Sequence, residues 1–291
     1  MYILFDIGGT NMRVALSRDG ETFEEPKKIS TPADFDAGIL AFKNLINEVT
    51  GGAPLIAAGG GIAGKLLCMH GKGEIHANVC NTLLISPHLA GWNGKPIESA
   101  LEDVLGCPVF IQNDAAIVGL GEAVYGAGKG YDIVAYVTIS TGVGGARIVN
   151  QEIDTSSMGF EPGHQIVDAG GALGERSVGG RGADFEGLVS GTAISERYGK
   201  KPYEITDEAF WDEMARLASY GLANTIVHWS PDALVIGGSM MNKIGIPIDR
   251  IAVYLKGNLP IYPELPAILH SALGDNGGLW GALAFVKQKL K

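Results

Sequence analysis

The sequence predicts an α/β protein of two lobes, with its ligand held in the cleft between them. Three observations point there. Strand-like and helix-like runs alternate along the 291 residues. A glycine-rich turn between apolar, β-rich runs occurs twice. The first is Leu4-Phe5-Asp6-Ile7-Gly8-Gly9-Thr10-Asn11, running on into Val14–Leu16. The second is Thr138-Ile139-Ser140-Thr141-Gly142-Val143-Gly144-Gly145, running on into Ile148–Val149. Third, each hairpin leads on to a helix and then a strand, so the two halves echo each other. A turn stripped of side chains lets backbone N–H groups and a hydroxyl approach a phosphate closely. One such turn is usually only a hairpin. Two, each with a threonine, suggest half-sites facing one another across a nucleotide.

Taken in order, the first hairpin is followed by a helix over Asp36–Val49, with Ile39, Leu40, Phe42, Leu45, Ile46 and Val49 on one face. Leu55–Ala58 reads as a short buried strand running into Gly59-Gly60-Gly61. Pro96 opens a helix to about Leu105, and Pro108–Ile111 is a strand. Asn113-Asp114 precede an apolar run with helical spacing, Ala115 to Val124. Ile133–Ile139 is the strand that enters the second hairpin. A long helix over Asp207–Trp229 turns Phe210, Met214, Leu217, Ala218 and Leu222 inward. Ala233–Ile236 is a strand ending in Gly237-Gly238, and Gly278–Leu290 is the closing helix. The expected lobes are residues 1–115 plus 279–291, and residues 116–278, although no Pro/Ser-rich linker marks the boundary.

Composition narrows the function. Hydrophobic residues make up 46% and charged residues 19%, a soluble globular balance. A net charge of -10 argues against a nucleic-acid groove, which needs a basic stripe. No apolar stretch is long enough to span a membrane, and the chain opens directly into a strand, so neither a membrane nor a signal peptide is expected. Cys68, Cys80 and Cys107 are widely spaced and imply neither a disulfide framework nor a cysteine zinc site. A cytoplasmic setting is expected.

The glycine hairpins resemble the two phosphate loops of the sugar kinase, Hsp70 and actin superfamily. More closely, the chain resembles the repressor, open reading frame, kinase (ROK) family of sugar kinases. The likeness extends over nearly the whole length. It runs through His88-Leu89-Ala90-Gly91-Trp92, Gln112-Asn113-Asp114-Ala115-Ala116, Gly121–Gly128, Glu161-Pro162-Gly163-His164, Phe185–Gly191, Leu234–Met241 and Leu273–Gly278. It implies a two-lobed actin-like (ribonuclease H-like) ATPase fold with the active site in the interdomain cleft. The implied activity is ATP-dependent transfer of a phosphoryl group to the primary hydroxyl of a hexose or N-acetylhexosamine. A homodimer, formed through the second lobe, is the family expectation.

The resemblance assigns roles residue by residue. Asp114 is the base that takes the proton from the sugar's primary hydroxyl. Read from the residues alone, Asn113-Asp114 before an apolar helix is first a helix cap; the two roles are compatible. Asn113, Glu161, His164, Glu186 and Gly61 hold the sugar, and carboxylates suit hydroxyls because each accepts several hydrogen bonds. Read alone, Glu161-Pro162-Gly163-His164 is an exposed polar turn. Asp6 orients magnesium or its waters, since this ion needs only one or two carboxylates. Gly8, Gly9, Thr10 and Asn11 approach the terminal phosphates from one side, and Thr141, Gly142 and Gly144 from the other. Gly237 and Gly238 match the adenosine contact, and alone they read equally as a strand-to-helix turn.

Departures from the family pattern are informative. Zinc-bearing members carry a C-x-C-G-x-x-G-C-x-E segment, whose cysteine positions are here Ser177, Gly179 and Asp184. That set cannot make a tetrahedral thiolate site, so no structural zinc is expected and His164 turns to the sugar. Arg147 stands where an apolar residue is usual, and the segment from Gln151 to Glu161 is slightly short. The stretch after Gly61-Ile62-Ala63-Gly64, with Cys68, His70, His76 and Asn78, lacks the family's Pro-Val-Asp pattern. These changes blur the substrate rather than the reaction. Two alternatives stay open: a non-catalytic sugar sensor, since the family includes repressors, and a polyphosphate-using glucokinase. Only Met1, Tyr2 and Ile3 precede the first loop, whereas repressors carry a DNA-binding extension there.

Overall fold

Both glycine turns close true hairpins, one pairing Tyr2–Ile7 with Asn11–Ser17 and the other Ile133–Ile139 with Val143–Val149. A computed structural model describes residues 1–68, 80–168 and 183–291 of the chain. The elements run β1 (Tyr2–Ile7), β2 (Asn11–Ser17), β3 (Lys27–Ser30), α1 (Phe35–Thr50), β4 (Ala57–Ile62), β5 (Lys65–Cys68), β6 (Cys80–Ile85) and α2 (Ile97–Leu105). Next come β7 (Val109–Asn113), α3 (Asp114–Val124), β8 (Ile133–Ile139), β9 (Val143–Val149), β10 (Glu152–Ile153), β11 (Ile166–Asp168) and β12 (Ala183–Asp184). The chain ends with α4 (Phe185–Val189), α5 (Gly191–Tyr198), α6 (Glu208–Trp229), β13 (Ala233–Gly237), α7 (Ile248–Asn258), β14 (Ala267–His270) and α8 (Gly277–Lys289).

Contacts divide the chain into two units. The first holds Met1–Tyr125, Thr155–Gly159 and Leu273–Lys291; the second holds Gly126–Asp154 and Phe160–Ala272. In the first, a five-stranded sheet runs in the order β3-β2-β1-β4-β7. Its β1–β2 and β2–β3 pairs are antiparallel, while β4 runs parallel to both β1 and β7. The second repeats the plan as β10-β9-β8-β13-β14. There, β8–β9 and β9–β10 are antiparallel and β13 runs parallel to both β8 and β14. The α/β expectation and the internal echo both hold.

Local chemistry explains the elements. Helix α1 starts where the Asp34 carboxylate accepts from the Ala37 N–H and stops at Gly51, whose φ of 63° is left-handed. Ile39, Phe42 and Ile46 are buried along it, but Leu40 is 58% exposed, a correction to its expected inward place. It stands a third of a turn from Ile39, outside a stripe only about 100° wide. Strand β4 also differs from expectation: it starts at Ala57 and takes in the whole glycine triplet, every residue buried. A Cβ on Gly60 would lie 2.5 Å from the Phe5 ring, and one on Gly59 would lie 3.2 Å from the Phe110 carbonyl oxygen. The glycines are there because the strand is crowded, not because it turns.

Helix α3, expected to open the second lobe, belongs to the first unit because it packs closely on α8. Glycines face one another at this contact: a Cβ on Gly121 would lie 2.6 Å from the Gly277 carbonyl oxygen and 2.8 Å from the Gly281 nitrogen. Side chains at these positions would force the helix axes apart. Among the described residues, no helix is long and apolar enough to cross a membrane.

Candidate functional site

In the first unit the candidate residues gather at the C-terminal ends of β1, β4 and β7, the parallel strands of the mixed sheet, where α/β proteins bind ligands. Register sets this out: Asp6 lies opposite Gly61, and Ile62 opposite Asn113. In the turn that follows β1, the Gly8 N–H donates to the Asn11 carbonyl (2.9 Å) and the Thr31 hydroxyl donates to the Gly8 carbonyl (2.7 Å). Gly9 presses on His88, where a Cβ would lie 2.7 Å from the carbonyl oxygen. Thr10 is exposed at the tip, and Asn11 starts β2 opposite Ser30.

Asp6 is not alone. The same hairpin register sets Arg13 across from it, and the guanidinium donates to Asp6 Oδ2 (2.5 Å) and to the Asp275 carbonyl (2.6 Å). Sequence reading passed over Arg13. Its signal was the turn length: a hairpin that pairs Ile7 with Met12 necessarily pairs Asp6 with Arg13.

Asn113 and Asp114 divide their expected roles. Asn113 is the cap: its Oδ1 accepts from the Ala116 N–H (3.2 Å), and its Nδ2 donates to the Gly64 carbonyl (3.0 Å). Asp114 is the first residue of α3, partly buried, with Oδ1 accepting from the Ala115 N–H (2.8 Å). A carboxylate is electrostatically favoured there by the helix N-terminus. Gly61 makes room for the Asp114 backbone, since a Cβ at Gly61 would lie 2.9 Å from the Asp114 Cα.

In the second unit, Thr141 and Gly142 form the tip between β8 and β9, and the Ser140 N–H donates to the Gly142 carbonyl (2.8 Å). Gly144 lies within β9, opposite Thr138. The Val143 N–H donates to Glu186 Oε2 (2.8 Å), so Glu186 of α4 touches the turn itself. Nearby is the 3-10 turn Pro162–His164, which Glu161 opens; Pro162 packs on Gly145, whose added Cβ would lie 2.9 Å from the proline Cγ. Glu161 is exposed, and the His164 side chain is 49% exposed, with Nδ1 3.5 Å from Asp184 Oδ2. The other Asp184 oxygen caps α4, accepting from the Gly187 N–H (2.7 Å). Arg147 is tied down by the Asp154 carboxylate and donates through Nε to the Trp229 carbonyl (2.9 Å).

Gly237 ends β13 opposite Thr138 of β8, and Gly238 follows it. Gly238 has φ of 97°, and a Cβ on it would lie 2.7 Å from Thr138 Oγ1. Beyond them, the Ser239 and Ser140 hydroxyls share a hydrogen bond (2.9 Å). A cavity of about 710 Å³ opens here, lined among others by Thr141, Thr192, Glu196, Tyr203, Ser239 and Ile244. That volume is of the size that holds a small-molecule ligand or cofactor. Ser177, Gly179, His70, His76 and Asn78 lie outside the described residues. Among the described residues, no group of three or more His, Cys, Asp or Glu side chains could hold a metal ion.

The family model described as ROK family matches residues 2–289. The chain belongs to the ROK family. A glucokinase of Streptomyces coelicolor is 25% identical over 323 residues, covering 97% of this chain and 96% of its own. The ROK hexokinase from Thermus thermophilus superposes with a TM-score of 0.82 at 24% identity, covering 100% of this chain and 99% of its own. A ROK family glucokinase from Streptomyces griseus, crystallised with glucose and AMPPNP, gives 0.77 at 24% identity, covering 99% of each chain. The fold of this ROK protein is therefore that of the actin-like ATPases, with the sheet plan present in both units.

Proposed function

We propose that the chain is an ATP-dependent sugar kinase that phosphorylates the primary hydroxyl of a hexose or N-acetylhexosamine. The observation that carries this reading is the placing of Asp114. It stands at the start of α3 with its backbone against Gly61, on the same sheet edge as Asp6 and the first glycine turn. A phosphotransferase with an alcohol acceptor needs a base beside its phosphate-holding groups. The ROK glucokinase relative supports the reaction class.

Asp114 accepts the proton of the attacking hydroxyl. Glu161, His164, Glu186, Asn113 and Gly61 hold the sugar. Gly8, Gly9, Thr10 and Asn11, with Thr141, Gly142 and Gly144, present backbone N–H groups and hydroxyls to the phosphates. The cavity beyond Gly237 and Gly238 takes the adenosine. A cavity with Tyr203 and Ile244 in its lining favours a nucleoside over a bare polyphosphate chain as donor. Magnesium is the expected cofactor, and Asp6 fits it: one carboxylate, with nucleotide phosphates and waters as the remaining ligands, is a normal set for this ion. When bound, it would neutralise charge on the transferring phosphoryl group.

The test is a coupled assay with ATP and magnesium over a panel of hexoses and N-acetylhexosamines. Turnover is expected with at least one sugar. Asp114→Asn is expected to cut it by about 10²–10⁴-fold, the usual worth of general-base catalysis, with sugar binding preserved. Sugar binding without turnover on any member of the panel would favour the sensor reading.

A further inference from the structure

We infer that Glu186 is the positioning residue of the second glycine turn: its carboxylate fastens Val143 and shapes the turn that meets the nucleotide phosphates. The family likeness gives Glu186 to the sugar alone. The structure adds a different contact. Glu186 Oε2 accepts the Val143 backbone N–H at 2.8 Å, a hydrogen bond strengthened by the negative charge. The same oxygen fills the place where a side chain at residue 142 would be, 2.6 Å from an ideal Cβ. Gly142 is thus a glycine that admits a carboxylate. Two further bonds join the turn to the segment after α4. The Gly191 N–H donates to the Ser140 carbonyl (2.8 Å), and the Thr192 N–H donates to the Thr141 carbonyl (3.2 Å). Residues 140–143 are therefore held at three points by the stretch from Glu186 to Thr192, and Glu186 is its side-chain anchor. Glu186 Oε2 holds the turn, and among the described residues Oε1 makes no protein hydrogen bond.

This inference rests on the kinase reading for its nucleotide but not for the fastening itself, and the experiment separates the two. Affinity for an ATP analogue is measured without sugar, alongside amide exchange at residues 140–143. The variants are Glu186→Ala, Glu186→Gln, Gly142→Ala and the double Glu186→Ala/Gly142→Ala. Glu186→Ala is expected to weaken nucleotide binding about tenfold, the scale of one lost hydrogen bond to a charged group, and to speed exchange at Val143. Glu186→Gln keeps an acceptor oxygen without the charge and is expected to fall between wild type and Glu186→Ala in both. Gly142→Ala alone should match Glu186→Ala, because its methyl displaces the carboxylate. In the Glu186→Ala background it should cost little, since the obstructed oxygen has gone. Should Glu186→Ala fail to fold, the contrast between Glu186→Gln and Gly142→Ala remains decisive. Unchanged nucleotide affinity and unchanged Val143 exchange, with sugar affinity alone reduced, would overturn the inference. Faster Val143 exchange in a protein that binds no nucleotide would uphold the fastening and sink the kinase reading instead.

Discussion

A single cross-strand pair decides how Asp6 is presented. The Arg13 guanidinium holds one carboxylate oxygen with one nitrogen and the Asp275 carbonyl, just before α8, with the other. Both side chains are about a quarter exposed, at 25% and 24%, so solvent screens the pair. Its worth to stability is accordingly small, roughly 1 kcal/mol or less. Under the proposed kinase reading its worth to orientation is larger, because a carboxylate that is to meet a cation or its waters acts only in the right direction. Arg13→Met is therefore expected to lower turnover about tenfold, equivalent to roughly 1.4 kcal/mol of barrier, while the urea midpoint hardly moves. Steady-state kinetics and urea unfolding of the same preparation test this. Turnover within twofold of wild type would mean that β1 alone orients Asp6. Asp6 could be picked out as a candidate from its motif, because the glycines follow it directly in sequence. Arg13 could be read only through strand register, and Glu186 on Val143 not at all, since that contact joins residues 43 positions apart.

At the scale of elements, glycine has opposite meanings at positions that look alike in sequence. In a helix, exchanging glycine for alanine normally stabilises by about 0.5–1 kcal/mol, by lowering the entropy lost on folding. Gly257 in α7 has nothing within 4 Å of where its Cβ would be, so Gly257→Ala is expected to follow that rule. Gly281 in α8 meets the Ile117 carbonyl of α3 head-on, and its Cβ would also fall 2.9 Å from the Ile117 side chain. Gly281→Ala must separate the helices, and is expected to cost about 1–3 kcal/mol, the usual penalty of overpacking. Thermal unfolding of the two variants should shift in opposite directions; a stabilised Gly281→Ala would disprove the close packing. This also explains what the sequence could tell about the elements. Hairpins and amphipathic helices announce themselves by local period, and the helices over 114–124 and 208–229 stand close to where that period put them. The glycine triplet of β4 depends on distant neighbours, so local pattern misplaced the bounds of that strand.

At the scale of the whole molecule, one strand plan has been used twice, and each use has its own hydrophobic core. Ile3, Phe5, Phe42 and Trp92 belong to one core; Val137, Phe185, Leu222 and Ile236 belong to the other. The doubling was legible because its most conspicuous part, the glycine hairpin, is local and repeated. The parallel pairings that complete each sheet were not, because β1 meets β4, and β8 meets β13, only after long intervening segments. Cores built this way are natural cooperative units for local opening. Matched substitutions test whether they act so. Ile3→Val and Ile236→Val each remove one methylene from a fully buried strand position, at a cost of about 0.5–1.5 kcal/mol. Ile3→Val is expected to speed amide exchange in β1, β2 and β4 by about three- to tenfold while leaving β8, β9 and β13 near wild type. Ile236→Val should produce the mirror image. The comparison is decisive because the two changes are chemically identical and differ only in the core they touch. If both variants sped exchange equally in both sheets, the doubled plan would be one cooperative unit despite its two cores.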